Sequence, residues 1–115
     1  MSAKKGNPQC HPERKYHSNG LCKSCYFRVH NFAYRTDKEF SAVKRDVLNF
    51  LAITPERCEI CGTTEDLTLD HCHKTNKLRG LICRRHNTAI AFLGEDWNTM
   101  HDAIRYLLRH GAFNE

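Results

Sequence analysis

The residues able to do chemistry in this chain fall into two Cys/His sets and one Asp-His pair. The densest run is DHCHKTNKLRGLICRRHN, residues 70–87. Just before it, Cys58-x-x-Cys61 makes a turn that lets two sulfurs converge on one ion about 2.3 Å away. Cys83-x-x-His86 supplies a second pair of equal spacing. Four N/S ligands with no open position fit structural zinc, so Cys58, Cys61, Cys83 and His86 read as one site. A second set lies upstream: Cys10, Cys22 and Cys25, with His11 and His17 nearby. Here His17 is preferred as fourth ligand, because His11 adjoins Cys10 and adjacent residues rarely chelate one ion comfortably. Residues 10–25 carry too little apolar surface to fold alone, so zinc would supply their folding energy.

Asp70, His71 and Asn87 are left over from the zinc sets. Asp and Asn oxygens suit a hard cation such as Mg²⁺ or Mn²⁺. A histidine with an uncommitted imidazole suits a general base. Together they describe phosphodiester hydrolysis, with His71 taking a proton from water and a divalent ion between Asp70 and Asn87. Lys74, Lys77, Arg79, Arg84 and Arg85 lie between Asp70 and Glu95 with no acid among them, a block suited to DNA phosphates. Charge is uneven elsewhere too: residues 1–36 hold seven Lys/Arg against one acid.

The elements that must position these groups are short. Residues 1–9 read as a disordered basic lead-in, and residues 10–25 as a loop-rich metal unit. Phe40, Val43, Val47, Leu48 and Leu51 recur at helical spacing, predicting a helix from Thr36 or Asp37 to about residue 53. Leu67 and Leu69 alternate with Thr68 and Asp70 as a strand, KTNK turns, and LRGLI returns. Cys72 reads as a small buried residue behind the site. Ala89, Ile90 and Leu93 predict a short helix ending near Gly94. Met100, Ala103, Ile104, Leu107 and Leu108 predict a last helix over 98–110, capped by Gly111. The expected division is a zinc-knuckle segment, 1–35, and a helix with the hairpin core and C-terminal helix, 36–115.

The run CEICG…LTLDHCHKTNKLRGLICRRHN resembles the recombination endonuclease VII family, within the wider HNH or ββα-metal (His-Me finger) nucleases. The family pattern is a C-x-x-C knuckle, Asp-His-x-His, a K-T-x-x-x-R-G-L-[LI]-C run, then Cys or His, then Asn. It stands here as Cys58, Cys61, Asp70, His71, His73, Lys74, Thr75, Arg79, Gly80, Leu81, Cys83, His86 and Asn87. The resemblance covers roughly residues 55–110. It implies a small zinc-stabilised α+β fold with a ββα-metal core, flanking helices and an N-terminal zinc knuckle. It implies a DNA endonuclease with His71 as general base and Asp70 and Asn87 holding Mg²⁺ or Mn²⁺. His73 matches a recurrent family histidine that contacts the scissile phosphate or supports the metal. His86 departs from the usual cysteine, and zinc accepts either. The better-known relatives resolve branched DNA as dimers. This chain is short for that, although the helix over 37–53 is available for a homodimer.

Composition narrows the remaining classes. Seven cysteines and eight histidines in 115 residues exceed ordinary usage, and the odd cysteine count argues against a disulfide framework. The start, MSAKKGNPQC, has no apolar run, and no stretch reaches membrane-span length. A cytoplasmic protein with reduced, metal-binding thiols is expected. Two rivals to a nuclease acting on duplex or branched DNA are a non-catalytic double-zinc nucleic-acid-binding module and a zinc-stabilised protein adaptor. His30, His101 and His110 read as surface or capping residues, and Trp97 and Tyr106 as core. Tyr26, Phe27 and Phe32, interleaved with Arg28 and Arg35, either pack around the first zinc or grip DNA.

Overall fold

The computed structural model describes residues 7–111. The first six residues of the basic lead-in lie outside the described residues. Its end is ordered: Pro8 is buried, and the Gln9 amide donates to the Gly20 carbonyl at 2.7 Å. The fold is small α+β, with four helices and two hairpins among the described residues. The chain divides into two compact units, Met1–Cys83 and Arg84–Glu115.

The first unit opens with a hairpin of β1 (Tyr16–Ser18) and β2 (Leu21–Cys22). Asn19 and Gly20 turn it with φ of 53° and 78°, the left-handed pair that a two-residue hairpin turn needs. Helix α1 (Lys23–Arg35) follows directly. It was not expected from the sequence, yet its cause is plain. Cys25, Val29, Phe32 and Ala33 fall at i, i+4, i+7 and i+8 and are all buried. Thr36 ends the helix, its hydroxyl donating to the Phe32 carbonyl at 2.7 Å. Asp37 then turns with φ of 58°. This delays α2 (Phe40–Ala52), which starts slightly later than its apolar spacing predicts. Val43 and Val47 of α2 join Leu21, Cys22, Cys25, Val29, Phe32 and Ala33 in one buried cluster.

The second hairpin pairs β3 (Leu67–His71) with β4 (Leu78–Cys83), as the alternation of Leu67 and Leu69 predicts. KTNK does form the turn: the Cys72 amide donates to the Lys77 carbonyl at 2.8 Å, and Asn76 adopts φ of 63°. Leu69 and Leu78 pack against the α1–α2 cluster, so the hairpin rests on α1. Cys72 is partly exposed at the start of the turn, not buried as expected, because β3 ends at His71 and the alternation stops there.

Glu56 ties the first unit together. Its carboxylate accepts two bonds from Arg14, at 2.6 and 3.3 Å, and one from Arg28 at 3.0 Å. The Arg14 bonds hold the Glu56 carboxyl down at about 2, against the cost of burial and with help from Arg28. Arg14 lies in the N-terminal metal loop, Arg28 on α1, and Glu56 two residues before Cys58.

In the second unit α3 (Arg84–Phe92) ends through Gly94, with φ of 73°, and α4 (Trp97–Arg109) ends through Gly111, with φ of 75°. The Asp96 side chain caps α4 by accepting from the Asn98 amide at 3.0 Å. Trp97 and Tyr106, expected in a core, are 71% and 50% exposed. The described residues contain no helix long and apolar enough to cross a membrane.

Replacing Glu56 by Gln is expected to lower the unfolding free energy by about 1 to 2 kcal/mol at pH 7, measured by urea titration. The depressed carboxyl makes this contribution complete above pH 4.5, and it is lost as the pH falls toward about 2. An unchanged urea midpoint would show that the network contributes nothing.

Candidate metal centres and active site

The described residues contain two tetrads of metal-ligating side chains, each with its ligand atoms within 4.8 Å of one another. Cys10, His11, Cys22 and Cys25 form the first; Cys58, Cys61, Cys83 and His86 form the second. A zinc ion 2.3 Å from each sulfur at tetrahedral angles requires sulfurs about 3.8 Å apart, and a nitrogen ligand brings that edge to about 3.6 Å. The observed edges are 3.6 Å for Cys10–Cys22, 3.9 Å for Cys61–Cys83, and 3.6 and 3.5 Å from His11 Nδ1 to Cys22 and Cys25. The donors therefore fit two structural zinc ions.

Both tetrads are built on the same chain path. Cys22 closes β2 and Cys25 sits in the first turn of α1; Cys83 closes β4 and His86 sits in the first turn of α3. An x-x spacing across a strand-to-helix junction points both ligands at one spot, because the helix turns the second back over the first. The remaining pair comes from the loop before each hairpin. In the second tetrad that loop is a tight knuckle. Amides of Ile60 and Cys61 donate to Cys58 Sγ at 3.3 and 3.5 Å, and Gly62 takes φ of 82° to complete the turn. The Glu59 amide donates to the Leu81 carbonyl at 3.0 Å and fastens the knuckle to β4.

His17 does not complete the first tetrad; His11 does. The preference against adjacent ligands fails here because Cys10 and His11 lie in an open loop, free of strand or helix geometry, where both can turn inward. His17 is exposed on β1, its ring 5.0 Å from Tyr26 and 5.4 Å from Phe27. His11 is backed by Glu56, whose Oε1 lies 4.0 Å from Nε2, an electrostatic contact behind a ligand histidine. Arg14 reaches Cys22 Sγ at 3.8 Å. Burial pushes the Cys22 thiol up, but the Cys25 amide and bonds from Cys10, Arg14 and His11 outweigh it and bring the thiol down to about 6. Burial and the neighbouring thiols push Cys25 well above the ordinary thiol range. A cation among these sulfurs would offset the repulsion between their thiolates.

Asp70 and His71 sit together at the turn end of β3, and both are buried. Neighbours in a strand ordinarily point to opposite faces. Here the register shifts between them: Asp70 pairs with Gly80 and His71 with Leu78, leaving Arg79 as the extra residue of a bulge. The bulge sends Arg79 Nε back to Asp70 Oδ2 at 2.7 Å. Arg79, expected on DNA phosphates, also anchors Asp70 through Nε. Gly80 faces Asp70 across the hairpin, and a Cβ there would lie 2.5 Å from Glu59 Oε2. The missing side chain at Gly80 makes room for the Glu59 carboxylate.

The His71 ring lies 5.4 Å from Phe32 of α1 and 5.0 Å from exposed His73, edge-on to both. Burial lowers the basicity of His71, as do His73, Arg35 and Arg79, while Asp70 opposes them. The imidazole is therefore held neutral at neutral pH. Lys74 and Lys77 are exposed on the hairpin turn, and Arg84 and Arg85 are exposed at the start of α3. Asn87 is partly buried, one turn into α3. Phe32 and Glu56 were missed as site residues. The spacing of Cys25, Val29 and Phe32 could have placed Phe32 on a buried stripe; nothing local marks Glu56, whose partners lie 28 and 42 residues away.

The family model for recombination endonuclease VII matches residues 33–109, from the end of α1 to the end of α4. The first tetrad lies before that span. No curated protein and no solved structure matches the chain.

Metal analysis is expected to find two zinc ions per chain. Cys22→Ser and Cys58→Ser should each remove one, and Cys58→Ser should also collapse the thermal transition. One zinc in the wild type would remove the first tetrad as a metal site.

Proposed function

The chain belongs to the recombination endonuclease VII family, and on that premise we propose that it is a metal-dependent endonuclease that hydrolyses phosphodiester bonds in duplex or branched DNA. The observation that carries this reading is the buried Asp70–His71 pair at the hairpin bulge, with a neutral imidazole beside an anchored carboxylate. His71 accepts the proton of a water that attacks phosphorus. Arg79 fixes the Asp70 carboxylate by taking Oδ2. Asp70 and Asn87 are the oxygen donors for the catalytic cation, a set that fits Mg²⁺ or Mn²⁺. When bound, that ion supplies Lewis-acid stabilisation of charge on the phosphate and the departing 3′-oxygen. His73, whose ring lies 5.0 Å from that of His71, contacts the scissile phosphate or supports the metal. Lys74, Lys77, Arg84 and Arg85 bind flanking phosphates and set the register of the duplex.

Plasmid nicking with Mg²⁺ or Mn²⁺ tests the reading. His71→Ala is expected to lower cleavage about 100-fold or more while keeping zinc content and the thermal midpoint. If wild type and variant both bind DNA and neither cuts, the chain is a double-zinc binding module instead. Asn87→Ala should raise the Mg²⁺ concentration needed for half-maximal cleavage, and an unchanged titration would remove Asn87 from the metal site.

The pH profile gives an independent check. Because His71 must be neutral to act and its basicity is lowered from 6.5, cleavage should persist below that pH and fall only at a more acid midpoint. An acid limb centred at or above pH 7 would argue against His71 as the base.

A further inference from the structure

We infer that Phe32 is a positioning residue for His71, and that the first Cys/His tetrad acts on the nuclease site through the helix that carries it. The inference rests on reading His71 as the general base. Helix α1 spans the two features. Its first turn holds Cys25, a ligand of the tetrad, and Phe32 follows two turns later, about 10 Å along the axis. Cys25, Val29 and Phe32 lie on one stripe and are 1%, 0% and 7% exposed. The stripe is clamped at both ends. The tetrad gathers Cys10, His11 and Cys22 around Cys25. At the other end Thr36, itself buried, binds the Phe32 carbonyl through both its amide and its hydroxyl, at 3.0 and 2.7 Å.

His71 needs such a support. It is the last residue of β3 and pairs with Leu78 just past the bulge at Arg79, so its side chain is re-aimed from the regular alternation of the strand. Among the described residues its ring meets Phe32 and His73, and they differ. His73 is exposed beyond the end of the strand, whereas Phe32 is buried, 5.4 Å away and inclined at 80°. Phe32 is the fixed wall against which the imidazole is set. The tetrad lies outside the span matched by the nuclease family model, yet α1 gives it a direct mechanical path to His71.

Phe32→Leu keeps an apolar side chain in the cluster and removes the ring. In the zinc-loaded protein without DNA or added Mg²⁺, the His71 ring-proton NMR resonances are expected to move from their wild-type positions. With DNA and Mg²⁺, kcat should fall about 10- to 100-fold, the cost of a small misplacement of a catalytic group, while KM stays within about 2-fold. His11→Ala should lose one zinc, shift the same His71 resonances and lower kcat. His11→Cys, which restores a ligand, should recover the zinc, the resonances and the rate.

Unmoved His71 resonances with kcat within about 2-fold of wild type in Phe32→Leu would overturn the inference, as would a change confined to KM or to thermal stability. Loss of one zinc in His11→Ala with unaltered resonances would overturn the role of the tetrad. These failures are distinct from failure of the nuclease reading itself, which would appear as full cleavage by His71→Ala.

Discussion

Three cysteines and one histidine gathered within 4.8 Å of one another, two of them from a strand-to-helix junction, form an arrangement made twice, and the rest of the structure is organised around it. The buried cluster of the first unit has eight members, two of them cysteines of the first tetrad. So small a core gives limited hydrophobic stabilisation, and domains of this kind rely on metal to complete their folding energy. The two tetrads are therefore part of the architecture around the Asp70–His71 pair.

From this follows the arrangement around His71. The second knuckle is fastened to β4 through the Glu59 amide, and β4 carries the bulge that turns Arg79 toward Asp70. The first tetrad starts α1, and α1 supports the other side of His71 through Phe32. Glu56 joins the two systems, accepting from Arg14 of the first metal loop and Arg28 of α1 two residues before Cys58. A neutral, buried imidazole next to an anchored carboxylate is thus a product of several elements.

Much of the metal chemistry was readable from spacing. Cys58, Cys61, Cys83 and His86 converge as their paired intervals require, since a C-x-x-C turn and a strand-to-helix junction are local constraints. The β3–β4 hairpin and the final helix also followed from period and turn residues. Helix α1 was obscured because its first residues belong to a Cys-x-x-Cys pair that reads as loop, although its apolar period was present. The fourth ligand of the first tetrad was misread for a related reason. His17 has the better separation along the chain, but strand β1 turns it toward Tyr26 and Phe27, while the open loop lets His11 turn inward.

By itself, the order of residues determined which donors exist, which of them lie in short-range pairs, and where periodicity makes strands and helices. These are properties of neighbours along the chain, governed by 2.0- and 3.6-residue repeats and by turn chemistry. Only the tertiary structure decided that Arg79 serves Asp70, that Glu56 stands behind His11, and that Phe32 meets His71. Those contacts join residues 9 to 45 positions apart, and their geometry depends on a bulge, a helix packing and an ion-pair network. No local pattern encodes such contacts, because each exists only once separate elements have been brought together.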